Sequence, residues 1–434
     1  MSGPQRSIGG IRVGFVGLII VLMLNSIGPN SAFAQNQPTE HPRVADMLPQ
    51  PPQEAPMEMM GDGEYHRYDE TAPPPFDFWQ PTWMPCQSLR TNRSLVLGHL
   101  YFGMDIMGWA TKGVHAPPLL TTGSLASEGI IGQGNTSVLF GNEFIQNEMR
   151  PGGKLTIGWW FDPSQTQGGI EWHYFELSGQ RIRFNAGDDS QSFVIARPII
   201  DGSTGDNGSV IIANDTQSGT IRISSDLQLT STGIVFHDLL WGNQFTRVDY
   251  LVGYRHTHLY DALKTREILA PLDANGGFDP DTVVTRVDQF RTVNQFDGAD
   301  FGLKGWWSRN GKLAITGLSK IAIGANNNNV IIDGYTKEGS GRSATTTSGG
   351  VLTSPSNIGR HGQQQFGIVS EIGLGLEWEP ACFWKFNLGY TWFYWSEVAR
   401  AVSQVDTRLD DSASRLNTTS FWAQGLTAGF RYQF

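Results

Sequence analysis

The sequence predicts an all-β fold: a transmembrane antiparallel β-barrel of about ten strands, within a range of eight to fourteen, with short periplasmic turns and long extracellular loops. Three observations predict it. Apolar and polar residues alternate in segment after segment from about Arg93 to the last residue, the period-two pattern of a strand with two unlike faces. The polar face of these segments is dominated by Gly and small residues with sparse charges, where a soluble sandwich would turn Lys, Glu and Thr to water. Short and long connections alternate along the chain, the loop pattern of outer-membrane barrels.

Composition agrees with this class. The 434 residues include 52 Gly and 14 Trp, and only 17% are charged, against a usual share of roughly 25%. So little charge argues against a solvated coiled coil or a charge-rich disordered chain. The net charge of −10 lacks the Lys/Arg excess that neutralises phosphates, so no nucleic-acid partner is expected.

Residues 1–34 read as a secretory signal peptide. Arg6 and Arg12 form a positive start, Val13 to Leu24 is a short apolar run, and Ala32-Phe33-Ala34 is a cleavage site. The mature chain is expected to begin at Gln35 and carry a charge of −12, two below −10 because Arg6 and Arg12 leave. No later stretch reaches the ~18 apolar residues of a membrane helix. Residues 35–85 carry 11 prolines, a composition for an extended periplasmic linker, largely disordered. Its aromatic end, with Phe76, Phe78, Trp79 and Trp83, reads as a lead-in to the first strand. The barrel is then expected over 86–434. Cys86 and Cys382 are the two cysteines; the sequence leaves open whether they are bridged.

Ten strands are placed at about 93–111, 152–162, 169–185, 220–243, 246–268, 284–308, 311–334, 366–379, 383–396 and 419–434. Alternation is poorest in the third and fourth. The last strand is clearest. Trp422, Leu426, Ala428, Phe430, Tyr432 and Phe434 share one face, broken by Gln424, opposite Ala423, Gly425, Thr427, Gly429, Arg431 and Gln433. In the ninth, Trp384, Phe386, Leu388, Tyr390 and Trp392 oppose Lys385, Asn387 and Gly389. In the fifth, Val248, Tyr250, Val252 and Tyr254 oppose Arg247, Asp249 and Arg255. Aromatics gather near strand ends, as in the girdles of membrane barrels. An even strand number puts both chain ends in the periplasm, matching the linker.

Several runs together resemble the putative beta-barrel porin family typical of planctomycete-type bacteria. They are Leu240-Trp241-Gly242, Val248 to Arg255, Phe290 to Gly298, Gly349 to Leu352, Pro355 to Arg360, Gly389-Tyr390-Thr391, Tyr394-Trp395-Ser396 and Phe421 to Leu426. Asp297 departs from the pattern, where the family usually has an aromatic. The resemblance spans roughly 90–434 and implies an outer-membrane barrel. It defines no catalytic residue to carry over.

The polar face of the strands is the candidate site. Its lumen-facing charges are expected to be Asp105, Arg247, Asp249, Arg255, Asp300, Lys304, Glu371, Glu377, Lys385 and Arg431. Both signs are nearly balanced. In a narrow barrel of about ten strands, buried charges must pair, which predicts a largely plugged, salt-bridged interior; a small wet pore is the other reading. His256 and His258 share a strand face near Asp261 but lack a third metal ligand, and read as interfacial polar residues. His237-Asp238 with Asp249 and Asp300 would be the material of a hydrolase site at the barrel mouth, but adjacent residues point to opposite faces. The stretches 201–206 and 273–277 lack the spacing of a calcium loop and read as solvated turns.

No catalytic, cofactor-binding or metal residue is assigned, and the protein is not expected to be an enzyme. The first expected function is a small-diameter, porin-like pore for ions or small solutes. The alternative is a closed structural or adhesive barrel whose long loops bind external partners. Expected partners are outer-membrane lipid and the barrel-assembly machinery, recognised through the closing strand with Phe430, Tyr432 and Phe434.

Overall fold

Among the described residues, ten long strands close on themselves. In this computed structural model they are β1 (Leu100–Thr111), β2 (Met149–Trp160), β3 (Gly169–Asp188), β4 (Gln217–Gly242), β5 (Thr246–Pro271), β6 (Val283–Ser308), β7 (Leu313–Gly339), β8 (Gly359–Ala381), β9 (Trp384–Ala399) and β10 (Thr418–Gln433). Each pairs antiparallel with the next, and β1 pairs with β10 from Tyr101↔Gln433 to Thr111↔Ala423, which shuts the ring. The structure describes residues 99–162, 168–188, 192–272, 282–340, 343–381, 383–409 and 416–434. The expected signal peptide, the linker, both cysteines and the turn at 273–277 lie outside the described residues. All described residues belong to one unit, Phe76–Phe434.

The alternation has a physical cause that is visible on every strand. On β1, Met104 and Ile106 are 52% and 70% exposed while Tyr101, Met107 and Trp109 are buried. Odd residues of β1 point into the barrel and even residues point out to lipid. Outward apolar side chains form a band: Ile157 and Trp159 on β2, Ile321 and Ile323 on β7, Leu374 to Trp378 on β8, Trp384 to Tyr390 on β9.

The strands differ in length. β4 to β7 have 26 to 27 residues, whereas β1 and β2 have 12 and β9 and β10 have 16. A bilayer needs only ~9–11 residues of tilted strand. One wall of the barrel therefore stands well above the membrane. The long connections from the short wall lean against the inside of this tall wall, building a cap with its own sheet around Val194–Asp201 and Leu120–Gly123.

Candidate functional site

The interior is filled by side chains in successive layers. Nearest the short turns, the Tyr101 hydroxyl donates to Glu171 Oε2 at 2.8 Å, and Lys304 Nζ lies 3.3 Å from the same oxygen. Arg247 Nε pairs with Asp249 Oδ1 at 2.7 Å. Lys385 Nζ sits 3.1 Å from Glu377 and 3.4 Å from Glu379. Asn387 donates to Asp105 Oδ1 at 2.9 Å, and Arg431 lies over the Tyr101 ring.

One layer further in, the Arg255 guanidinium reaches Asp300 Oδ2 at 3.1 Å and Glu371 Oε2 at 2.8 Å, all three fully or almost fully buried. Lys320 Nζ joins Asp300 at 2.9 Å, and Lys154 Nζ stands 3.6 Å from Glu371. Two strands separate β5 from β8 in the ring, so Arg255 and Glu371 can meet only across the interior. Pairing is obligatory here, because a buried ion left alone costs several kcal/mol. Beside these pairs a polar cavity of about 180 Å³ remains, bounded by Lys154, His173, Lys304 and Lys320 and, on the short wall, by Gly373, Gly375 and Gly389, which bring no side chain to fill it.

An apolar layer closes this half. Met107, Trp109, Phe175, Leu177, Leu227, Leu229, Leu259, Phe296, Ala322, Val369, Phe393, Trp395, Phe421 and Ala423 pack as one buried cluster drawn from nine of the ten strands. The Phe175 and Phe393 rings meet edge to face at 5.7 Å although three strands lie between β3 and β9 in the ring. The tenth strand, β2, contributes Arg150, whose guanidinium donates to the Leu227 carbonyl at 2.9 Å.

Above the apolar layer, two buried arginines clamp the cap to the tall wall. Asp261 on β5 accepts Arg400 Nε at 2.8 Å, the Ala401 amide at 3.1 Å and Gln146 Nε2 at 3.0 Å. Arg400 also bonds Gln146 and donates to the Lys112 carbonyl at 3.1 Å. Lys112 in turn donates to the Ser420 carbonyl at 2.8 Å, tying the outer ends of β1 and β10. Higher still, Arg197 from the 189–216 connection meets Glu267 at 3.0 Å and also Asp288. Burial disfavours its charge, and the two carboxylates more than offset this, so its pKa lies above the ordinary value. Asp288 Oδ1 accepts the Leu352 and Thr353 amides at 3.1 and 3.0 Å and the Thr353 hydroxyl at 2.7 Å. This pins the 340–358 connection. Around the clamps lies a second apolar core, with Leu119, Leu120, Ile195, Ile212, Ile221, Leu263, Phe290, Ile332 and Leu352.

Residues 101–434 match the family described as Putative beta barrel porin-7 (BBP7). The chain belongs to this family. As a BBP7 member it is an outer-membrane β-barrel. No curated protein matches it. Among solved structures it is similar to the outer membrane protease OmpT from Escherichia coli, with a TM-score of 0.40 and 12% identity over 80% of this chain and 100% of that one. It is also similar to Ail, the attachment invasion locus protein of Yersinia pestis, with a TM-score of 0.20 and 9% identity over 77% and 99%. For the P. putida toluene transporter TodX the TM-score is 0.21, with 11% identity over 77% and 90%. At such scores no property of these proteins transfers to this one.

The ten charges singled out from the sequence occupy the two layers nearest the short turns. Lys154, Glu171, His173 and Lys320 stand with them and were not singled out. A signal existed: Glu171 and His173 alternate with Ile170, Trp172 and Tyr174. Nothing local marks Arg197, Arg400, Asp261 or Asp288, whose partners lie tens to more than a hundred residues away.

His256 and His258 project outward. His256 Nδ1 lies 2.8 Å from Asp297, which also bonds Tyr254, and among the described residues no three His, Cys, Asp or Glu gather as a metal site. The hydrolase set is placed elsewhere than at the mouth. His237 Nδ1 is 3.9 Å from Asp249 beside the 243–245 turn, under the Trp160 ring, while Asp300 is held by Arg255 and Lys320. At 201–206, Asp201 Oδ1 caps the Ser203 and Thr204 amides, a turn closed on itself. The Ser203 hydroxyl and these amides stabilise the ionised carboxylate and lower its pKa.

Proposed function

We propose that the protein is a closed outer-membrane barrel whose folded extracellular cap is the surface that meets external partners. The observation that carries this reading is the transverse apolar layer from nine strands. Ions crossing it would be stripped of water among Trp, Phe and Leu side chains that offer nothing in exchange. The paired charges below it and the clamped cap above it support the same reading. No catalytic step belongs to it.

Single-channel recording of the refolded chain in a planar bilayer, with a heat-modifiable gel shift as folding control, tests it. Folded protein without steady conductance is the expected result. A steady, salt-dependent conductance would overturn it in favour of a small-diameter pore for ions or small solutes. That second reading draws on the 180 Å³ polar cavity of the membrane half, and it requires the apolar layer to open. The reading also includes export by cleavage after Ala34, checked by Gln35 as the first residue of the mature protein. Insertion through the Phe430, Tyr432 and Phe434 face of β10 is checked by slowed assembly when Phe434 is removed.

A further inference from the structure

The outward face of the tall wall carries a concentration of cations that the closed interior does not use. Arg183 on β3, Arg222 on β4 and Lys264 and Arg266 on β5 are all exposed. They point away from the barrel, since Ile182, Phe184, Ile221, Ile223 and Leu263 beside them pack into the inner core. The register brings them together: Ser224 lies between Arg183 and Lys264, and Arg222 is directly opposite Arg266. Like charges opposite each other on neighbouring strands repel. The acids of this level do not relieve them, because Glu267 and Asp288 point inward to Arg197. Asp226 is taken by Arg181 at 2.6 Å. Among the described residues none of the four cations makes an ion pair. Arg222 only donates to the Asn185 side chain, at 2.9 Å. This on a chain whose net charge is −10 leaves a local surplus with no internal purpose.

Height selects the partner. The outward face of β5 is continuously apolar or aromatic from Val248 to Tyr254, turns polar at His256 and His258 with Tyr260 above them, and reaches Lys264 ten residues beyond Tyr254. That is roughly 33 Å of strand, or about 25 Å above the apolar band at a tilt of ~40°. A simple phospholipid headgroup extends only about 5–8 Å beyond the hydrocarbon and does not reach. A lipid carrying phosphates on an oligosaccharide does, and it stands beside the strands that pass through its own leaflet. We propose that this face docks the phosphate-bearing saccharide headgroup of a glycolipid in the surrounding outer leaflet, with Arg183, Arg222, Lys264 and Arg266 as its contacts. The proposal is independent of whether the barrel conducts.

The test measures binding of a phosphorylated lipopolysaccharide, and of the same material after enzymatic dephosphorylation, to the refolded full chain in zwitterionic detergent. The wild type is expected to bind the phosphorylated probe, more weakly as salt rises, and to lose affinity for the dephosphorylated one. With roughly fivefold per cation near an anionic surface, the combined Arg183→Ser, Arg222→Ser, Lys264→Ser and Arg266→Ser variant should bind on the order of several-hundred-fold more weakly. It should keep the heat-modifiable gel mobility. If that variant does not fold, the Arg222→Ser, Arg266→Ser pair serves, with about a 25-fold loss expected. Equal affinity of wild type and either folded variant overturns the proposal. So does equal binding of the two probes, which would point to neutral sugar contacts.

Discussion

Strand β5 passes through two solvents, and its two halves are built inside out relative to each other. In the membrane half, Val248, Tyr250, Val252 and Tyr254 face lipid while Arg247, Asp249 and Arg255 face inward. In the outer half, Lys264 and Arg266 face water while Leu259, Leu263 and Leu269 are buried. The backbone does not change; the medium on each side does. Below the crossover the interior is stabilised by pairing ions, because the apolar surface is already served by lipid. Above it the interior is stabilised by removing apolar surface from water, as in a soluble domain. The comparison also explains the two buried arginines of the cap, which enter an apolar surround and so come with their carboxylates.

The largest effects should come from the ion clusters of each half. Asp288→Ala leaves Arg197 with Glu267 as its one carboxylate and strips two amides and the Thr353 hydroxyl of their acceptor, and should cost about 3–5 kcal/mol. Protease added outside intact cells should then cut the 340–358 connection while the barrel keeps its heat-modifiable mobility. Arg255→Ala should cost a similar amount, about 3–5 kcal/mol, with the opposite signature: a lower urea midpoint for the whole barrel and an uncut cap. If both variants give the same pattern, the two halves are one cooperative unit and the distinction fails.

Two matched substitutions on the outer face, with one inward change beneath the cap between them, sharpen the contrast. Leu388→Arg, on the 54% exposed lipid face of β9, should cost about 2–4 kcal/mol in a refolding titration into vesicles. Gly334→Ala sets a Cβ against the Thr353 hydroxyl and the Val287 carbonyl, and should cost about 1–3 kcal/mol by overpacking, read as cap proteolysis. Ile268→Arg, at an outward position 39% exposed in the water half, should change stability by no more than about 0.5 kcal/mol. A large cost at Ile268 would mean that lipid rises further up the tall wall than the polarity of its neighbours indicates.

Much of the barrel was legible because its rule is local. One side chain in two faces lipid, so β8, β9 and β10 are announced by runs such as Trp384, Phe386, Leu388 and Tyr390, and the hairpins follow from the short gaps between them. The third and fourth strands showed poor alternation for a reason now visible. β4 turns Thr220, Arg222, Ser224 and Asp226 to water and Ile221, Ile223 and Leu227 inward, then reverses toward Ile234 and Phe236 on the lipid side. A pattern that changes sign mid-strand weakens when read as one. The upper ends of the strands were also cut short, as at Gln217, Pro271 and Gly339, because polar outward residues there resemble loop. The clamps were not legible at all. Arg400 and Asp261 are 139 residues apart, and nothing in either neighbourhood names the other.

The bonds joining Lys112, Arg400 and Ser420 have a consequence for lifetime. The β1–β10 seam joins residues as distant as Tyr101 and Gln433, so it carries the longest loop closure in the molecule and should be among the last contacts made. A barrel that came apart would begin at this seam. Lys112 and Ser420 lie at its outer end, and Arg400 bolts them to Asp261 on the opposite wall. Contacts formed after the folding barrier slow escape from the native state without slowing entry into it. The cap would then act as a latch set after closure, converting a modest equilibrium preference into persistence at a surface where an opened chain has no route back into the membrane.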